Sequence, residues 1–153
     1  NKLRDKNVII QSKELMHALD ENIREVMKEG PGSQRIVTVN LKKGSLEIKD
    51  NKVKWTYDRS KIPISEPNPI ATAVDAGVVA NEGNLAVKTT QGSEKGVYVI
   101  EIYIDYTELA IVKREAGSST TLVGLTDLLV RNEGILNPGL NTLLTITIRE
   151  TNK

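Results

Sequence analysis

Apolar and polar residues follow two rhythms along this chain, and the rhythm changes at Gly30-Pro31-Gly32-Ser33. Before the change, Ile9, Met16 and Ile23 recur every seven residues, with Ser12, Leu19 and Val26 interleaved between them. Leu15 and Met27 widen this stripe, while Lys13, Glu14, Asp20, Glu21, Arg24, Glu25 and Lys28 are assigned to the opposite face. The periodicity predicts one amphipathic helix from Asn1 to Glu29. Glu21 and Glu25 are spaced to pair with Arg24 or Lys28. Gly30 is a natural C-cap and Pro31 blocks continuation. No start signal is read at the other end, so the helix opens at Asn1 uncapped.

After the change the period is two. Val37, Val39 and Leu41 alternate with Thr38 and Asn40, Lys42-Lys43-Gly44 reads as a turn, and Leu46 and Ile48 alternate with Glu47 and Lys49. Asp50-Asn51 reads as a second turn, before Val53, Trp55 and Tyr57. Three short antiparallel strands in a meander follow from that pattern. Between Arg59 and Asn84 the prolines at 63, 67 and 69 forbid regular helix and central strand near them, and Ala71 to Ala80 reads as a strand or crossing segment, with a short helix over Ala71 to Val79 as the alternative. Further strands are predicted over Asn84–Thr90, Val97–Tyr106, Leu109–Arg114, Leu122–Val130 (with an interruption near Thr126-Asp127) and Leu144–Arg149. Turns are expected at Gly92–Gly96, Gly117-Ser118-Ser119 and Asn137-Pro138-Gly139.

These elements define an α+β chain, mainly β: an amphipathic helix packed on or projecting from an antiparallel β-sandwich or flattened barrel. The arm is 1–29, the joint 30–34 and the β-rich head 35–153, all one folded unit at 153 residues. Two readings of the apolar stripe stay open. It packs on the protein's own sheet, or Ile9, Met16, Leu19, Ile23 and Val26 form a helix-packing interface with other helices.

Composition narrows the function classes. A formal net charge of +1, with 21 basic and 20 acidic side chains interspersed, removes the usual electrostatic argument for nucleic acid. With no cysteine there is no disulfide, thiolate metal site or thiol nucleophile. Phe is absent, so Trp55 and four tyrosines carry the aromatic content. No run approaches the roughly 18 apolar residues of a membrane-spanning helix. The chain opens mid-helix without Met, from which an anchoring or targeting segment upstream is expected.

The order of parts resembles a known layout. A helix ending in Glu29-Gly30-Pro31-Gly32-Ser33 runs into Arg35-Ile36-Val37-Thr38-Val39, then a hairpin at Asp50-Asn51 and Trp55-Thr56-Tyr57. Ser65-Glu66-Pro67 and Val130-Arg131-Asn132-Glu133-Gly134 fit the same layout. It is similar to the archaeal type IV pilin-like proteins made with class III signal peptides, including relatives of the archaellum stator components. The match covers about the first 67 residues and lacks the processing site with its hydrophobic segment. The resemblance implies a non-enzymatic extracellular head on a membrane- or filament-anchored helix, a structural protein of the cell surface. It carries over no catalytic residue and no cofactor.

Candidate chemistry is sparse. His17 is the only histidine, without ligand partners at metal spacing. Gly92-Ser93-Glu94-Lys95-Gly96 lacks phosphate-loop spacing and reads as a hairpin turn. Ser118 to Thr121 offer hydroxyls but no base. Glu101 and Asp105 share a strand face with Tyr103, a solvated edge or a weak Ca²⁺ site. Lys42-Lys43 with Lys49, Lys52 and Lys54 forms a basic hairpin surface suited to acidic envelope polymers or to blocking edge pairing.

No catalytic residue, metal site, cofactor or small-molecule substrate is therefore assigned. The partners expected are further copies or envelope proteins, with membrane contact only through an upstream segment. The alternative is a soluble extracellular binding module of β-sandwich type for carbohydrate or protein, using Tyr103 and the loops at 59–70 and 115–121.

Overall fold

The amphipathic stripe forms a single helix, α1 (Lys2–Glu29), about 42 Å long. The computed structural model describes residues 1–63, 78–115, 121–135 and 144–151. Contrary to the uncapped start expected, Asn1 is an N-cap: its side-chain oxygen accepts from the Arg4 N–H at 2.8 Å. Asn is among the strongest residues in that role because its short side chain reaches an otherwise orphaned donor. At the other end Gly30 takes φ +96°, and the Ser33 hydroxyl lies 2.9 Å from the Val26 carbonyl and 2.7 Å from that of Gly30.

Eight strands follow among the described residues: β1 (Gln34–Lys49), β2 (Lys52–Ser60), β3 (Val78–Glu82), β4 (Leu85–Gln91), β5 (Tyr98–Asp105), β6 (Ala110–Arg114), β7 (Leu122–Ile135) and β8 (Leu144–Glu150). Two sequence expectations are corrected by this list. Lys42-Lys43-Gly44 is a bulge inside one long β1, so the meander expected over 36–57 is two strands. Likewise β7 runs unbroken through Thr126-Asp127, where the Thr38 hydroxyl and the Asp127 carboxylate meet at 2.6 Å across the ladder. The turn at Gly92–Gly96 forms, closed by the Gly92 N–H on the Val97 carbonyl at 2.7 Å. Most of Ala71–Ala80, Ser65-Glu66-Pro67 and the turns at 117–119 and 137–139 lie outside the described residues.

The strands hydrogen-bond in the order β3-β4-β5-β2-β1-β7-β8-β6, one open sheet whose only parallel pair is β6 with β8 among the described residues. β1 lies between two partners: residues 34–41 pair with β7 and residues 45–49 with β2, and Leu46, past the bulge, faces Leu122 of β7 as well as Trp55 of β2. The sheet also curls. The Val112 N–H of β6 reaches Asn51 Oδ1 at 3.1 Å, bringing this edge strand back to the β1–β2 turn. Where strand spacing suggested a second facing sheet, α1 covers the apolar face, lying against β1, β2, β4, β5, β7 and β8.

Alternation then places the core. Leu46, Trp55, Ile102 and Val87 stand directly opposite one another across four neighbouring strands, and all four are buried. Tyr98, Ile100, Ile102, Ile104 and Tyr106 share one face as the pattern predicts, from half-buried Tyr98 to fully buried Tyr106. These residues and the helix stripe form one continuous hydrophobic cluster.

Candidate functional site: the docking face of the helical arm

The stripe that was open to two readings is consumed within the chain. Ile9 is 4 % exposed and Met16, Leu19, Ile23 and Val26 are 0 % exposed. An interface with another helix through these five would therefore require α1 to leave the sheet. The dispersion contacts and apolar burial that hold it are those of an ordinary protein core.

Two buried aspartates interrupt the apolar face, and each accepts two hydrogen bonds from the β-head. Asp20 Oδ1 accepts from the Tyr106 hydroxyl and from Arg24 Nε, both at 2.8 Å, and Oδ2 accepts from Asn84 Nδ2 at 2.9 Å. The Arg24 guanidinium also sits 5.7 Å from the centre of the Tyr106 ring. About 22 Å toward the N-terminus, Asp5 Oδ1 accepts from the Tyr57 hydroxyl and Oδ2 from the Lys61 N–H, both at 2.8 Å. A buried carboxylate is tolerated where hydrogen bonds replace its water.

The phenols answer electrostatically. Burial, reinforced by the hydrogen bond and charge of Asp5, pushes Tyr57 up to about 12. Burial, then the charge of Asp20, raises Tyr106. Both phenols are thus held neutral as donors, the opposite of the activation a tyrosine nucleophile or base needs.

The helix C-terminus is clasped by Asn132 of β7, fully buried. Its Nδ2 donates to the Val26 carbonyl at 3.1 Å, and its Oδ1 accepts from the Gly134 N–H at 2.8 Å. Its backbone joins in: the Gly32 N–H donates to the Asn132 carbonyl and the Asn132 N–H to the Ser33 carbonyl, both at 2.9 Å. Gly134 takes φ +88°, a backbone conformation that side chains rarely adopt, and Pro31 packs beside it. The joint at 30–34 is a hydrogen-bonded corner between helix and sheet.

Sequence reasoning missed this polar frame. The sequence pattern places Asp20 on the face opposite the stripe, yet it is 3 % exposed. Helical phase was the available signal: Asp5 lies one turn before Ile9, and Asp20 one turn after Met16. Asn132 carries no local signal of the clasp, because Val26, Gly32 and Ser33 are about a hundred residues away.

Elsewhere, among the described residues, those singled out do not converge on a chemical centre, and residues 118–120 with most of the loops at 59–70 and 115–121 lie outside them. His17 is exposed beside Gly83. Glu101 pairs with Lys54 at 3.3 Å, Lys52 stands over the Tyr103 ring, and Asp105 accepts from the Thr107 N–H at 2.9 Å. The Thr107 bonds lower the Asp105 pKa. Among the described residues no group of three or more His, Cys, Asp or Glu side chains is placed to hold a metal ion. No helix among them is long and apolar enough to cross a membrane.

The outer face of the sheet is not uniformly polar. Ile36, Val123 and Leu125, on the neighbouring strands β1 and β7, are 64 %, 66 % and 71 % exposed. Compared with known protein families, curated proteins and solved structures, the chain matches none.

Proposed function

We propose that this chain is a non-enzymatic cell-surface module, a pilin-like subunit or accessory protein of an archaeal surface filament, anchored through a helix upstream of Asn1. One observation carries the reading. Glu29–Ser33 and Val130–Gly134, two segments that each resemble the pilin-like layout, meet at the Asn132 clasp. A rod joined to a head through a stiff corner transmits position and force without hinge motion. The exposed apolar residues Ile36, Val123 and Leu125 suit packing against neighbouring subunits or envelope proteins.

The test is the native location of the protein. Antibodies against this chain should label the cell surface or sheared filaments, and fractionation should recover the protein with membranes. Recovery wholly in the cytosol overturns the reading.

A second reading, a soluble extracellular binding module of β-sandwich type for carbohydrate or protein, draws on a different observation. The arm docks along the sheet from Asp5 to Val26, as a free-standing module requires. Recovery from the medium without membrane or filament association favours it.

A further inference from the structure

Folding gathers positive charge at the pole where α1 begins. Lys2, Arg4 and Lys6 lie in its first two turns, and the β1 bulge brings Lys42 and Lys43 alongside Arg4 from some forty residues away. Leu3, Arg4, Asn7, Val8, Lys42 and Lys43 line an open groove of about 440 Å³ between the helix and the bulge. Of these five basic side chains Arg4, Lys42 and Lys43 line the groove, while Lys2 and Lys6 fall on another side of the same helical turns, whose one acid is Asp5, in a chain whose whole formal balance is +1. That acid, Asp5, is 3 % exposed and turned inward onto Tyr57 and the Lys61 N–H. The end of β2 beside it, with Asp58, Arg59 and Lys61, adds further positive excess. None of the five basic side chains has an ion-pair partner among the described residues, whereas Lys13, Arg24, Arg35, Lys54, Arg114, Arg131 and Arg149 are all paired.

We propose that this pole is a docking surface for an anionic phospholipid bilayer. The inference rests on the anchored reading, and names which end of the head meets the membrane. Two features favour lipid headgroups over nucleic acid. Leu3 is 69 % exposed in the middle of the basic cluster, as suits shallow insertion at the acyl boundary. Among the described residues no aromatic side chain lines the groove, so bases have nothing to stack on. Each basic side chain close to an anionic leaflet strengthens binding roughly fivefold. Such an electrostatic seat would fix the head against the membrane and set its orientation about the anchor.

The chain itself, residues 1–153, is enough for the test. Its co-sedimentation with phosphatidylcholine vesicles containing about 30 % phosphatidylglycerol is compared with vesicles of phosphatidylcholine alone. Binding is expected only to the anionic vesicles, at about 0.05 M salt, with release at about 0.5 M. Lys42→Glu with Lys43→Glu should weaken it by roughly tenfold or more, and Leu3→Ser should weaken it in part. Lys28→Glu with Lys113→Glu, outside the patch, should leave it unchanged, and thermal melting of each variant checks that the fold is kept.

Equal binding to neutral vesicles, equal loss in the control pair, or binding to an RNA oligomer but not to vesicles overturns the proposal. No vesicle binding by a protein that fractionates with membranes overturns this inference alone. Cytosolic recovery of the native protein overturns the anchored reading instead.

Discussion

The side-chain amide of Asn132 donates to the main-chain carbonyl of Val26 at 3.1 Å, tying the last turn of the helix to a strand 106 residues later. Both groups are buried, so the bond replaces water that neither can recover. Asn132→Ala should cost about 1–3 kcal/mol in urea unfolding, because it leaves the Val26 carbonyl and the Gly134 N–H short of partners. Asn132→Asp should cost more, since it places an acceptor against an acceptor. A variant as stable as the wild type would show that the clasp contributes nothing.

Gly44 separates steric from conformational cost. It takes φ +77°, and a Cβ there would lie 2.5 Å from Trp55 Nε1 and 2.6 Å from the Thr56 carbonyl. Trp55 also donates its indole N–H to the Lys43 carbonyl at 3.0 Å. Gly44→Ala should destabilise by about 2–4 kcal/mol and alter the emission of this single tryptophan. Gly96→Ala, at φ +81° with open space around it, should cost only about 1 kcal/mol. Equal effects would refute the steric account.

Asp20→Ala should destabilise by about 3 kcal/mol, leaving Tyr106, Asn84 and Arg24 without their shared acceptor. Glu25→Ala removes an exposed contact to Lys28 at 3.9 Å and should change stability by under about 0.5 kcal/mol. Denaturant midpoints measured side by side decide whether burial sets the ranking.

Alkaline pH should loosen the arm. Tyr57 ionises at about 12 when folded, against 10.0 for the ordinary group, and Tyr106 is also raised. An unfolded chain gives up these protons first. Their contribution is therefore complete below about pH 10 and is lost as pH rises through the folded values. Tyr57→Phe should flatten the fall in thermal midpoint above about pH 10. An unchanged slope would count against the Asp5–Tyr57 contact.

The stripe gives a last measurement. Met16→Ala or Ile23→Ala should cost about 2–5 kcal/mol, and helix amides from Val8 to Val26 should be protected in hydrogen exchange nearly as well as β5. Fast exchange over these residues would mean that the arm undocks readily.

Much of this fold is legible locally. The helix from its heptad-like stripe, the stop at Gly30-Pro31 and the alternation of Val53, Trp55 and Tyr57 are written in neighbouring residues. The Lys42-Lys43-Gly44 segment misleads for a physical reason. A lysine pair with glycine looks the same whether the chain reverses there or bulges within a strand, and only the β7 partner distinguishes the two. The candidate site was less visible: Asp5 and Asp20 lay in phase with the stripe, but their donors come from Tyr57, Lys61, Asn84 and Tyr106.

The sequence by itself therefore determined which residues are helix, which face of each strand is apolar, and where helix gives way to sheet. Those properties depend on periodicity over a few residues. Tertiary structure alone decided that one open sheet wraps the arm, that β1 divides between β2 and β7, and that Asn132 closes the corner. Strand pairing and buried hydrogen bonds join groups far apart in the chain, and no local pattern specifies the partner. The same holds for the basic pole, where Arg4 meets Lys42 and Lys43 only because the bulge folds beneath the first turns of α1.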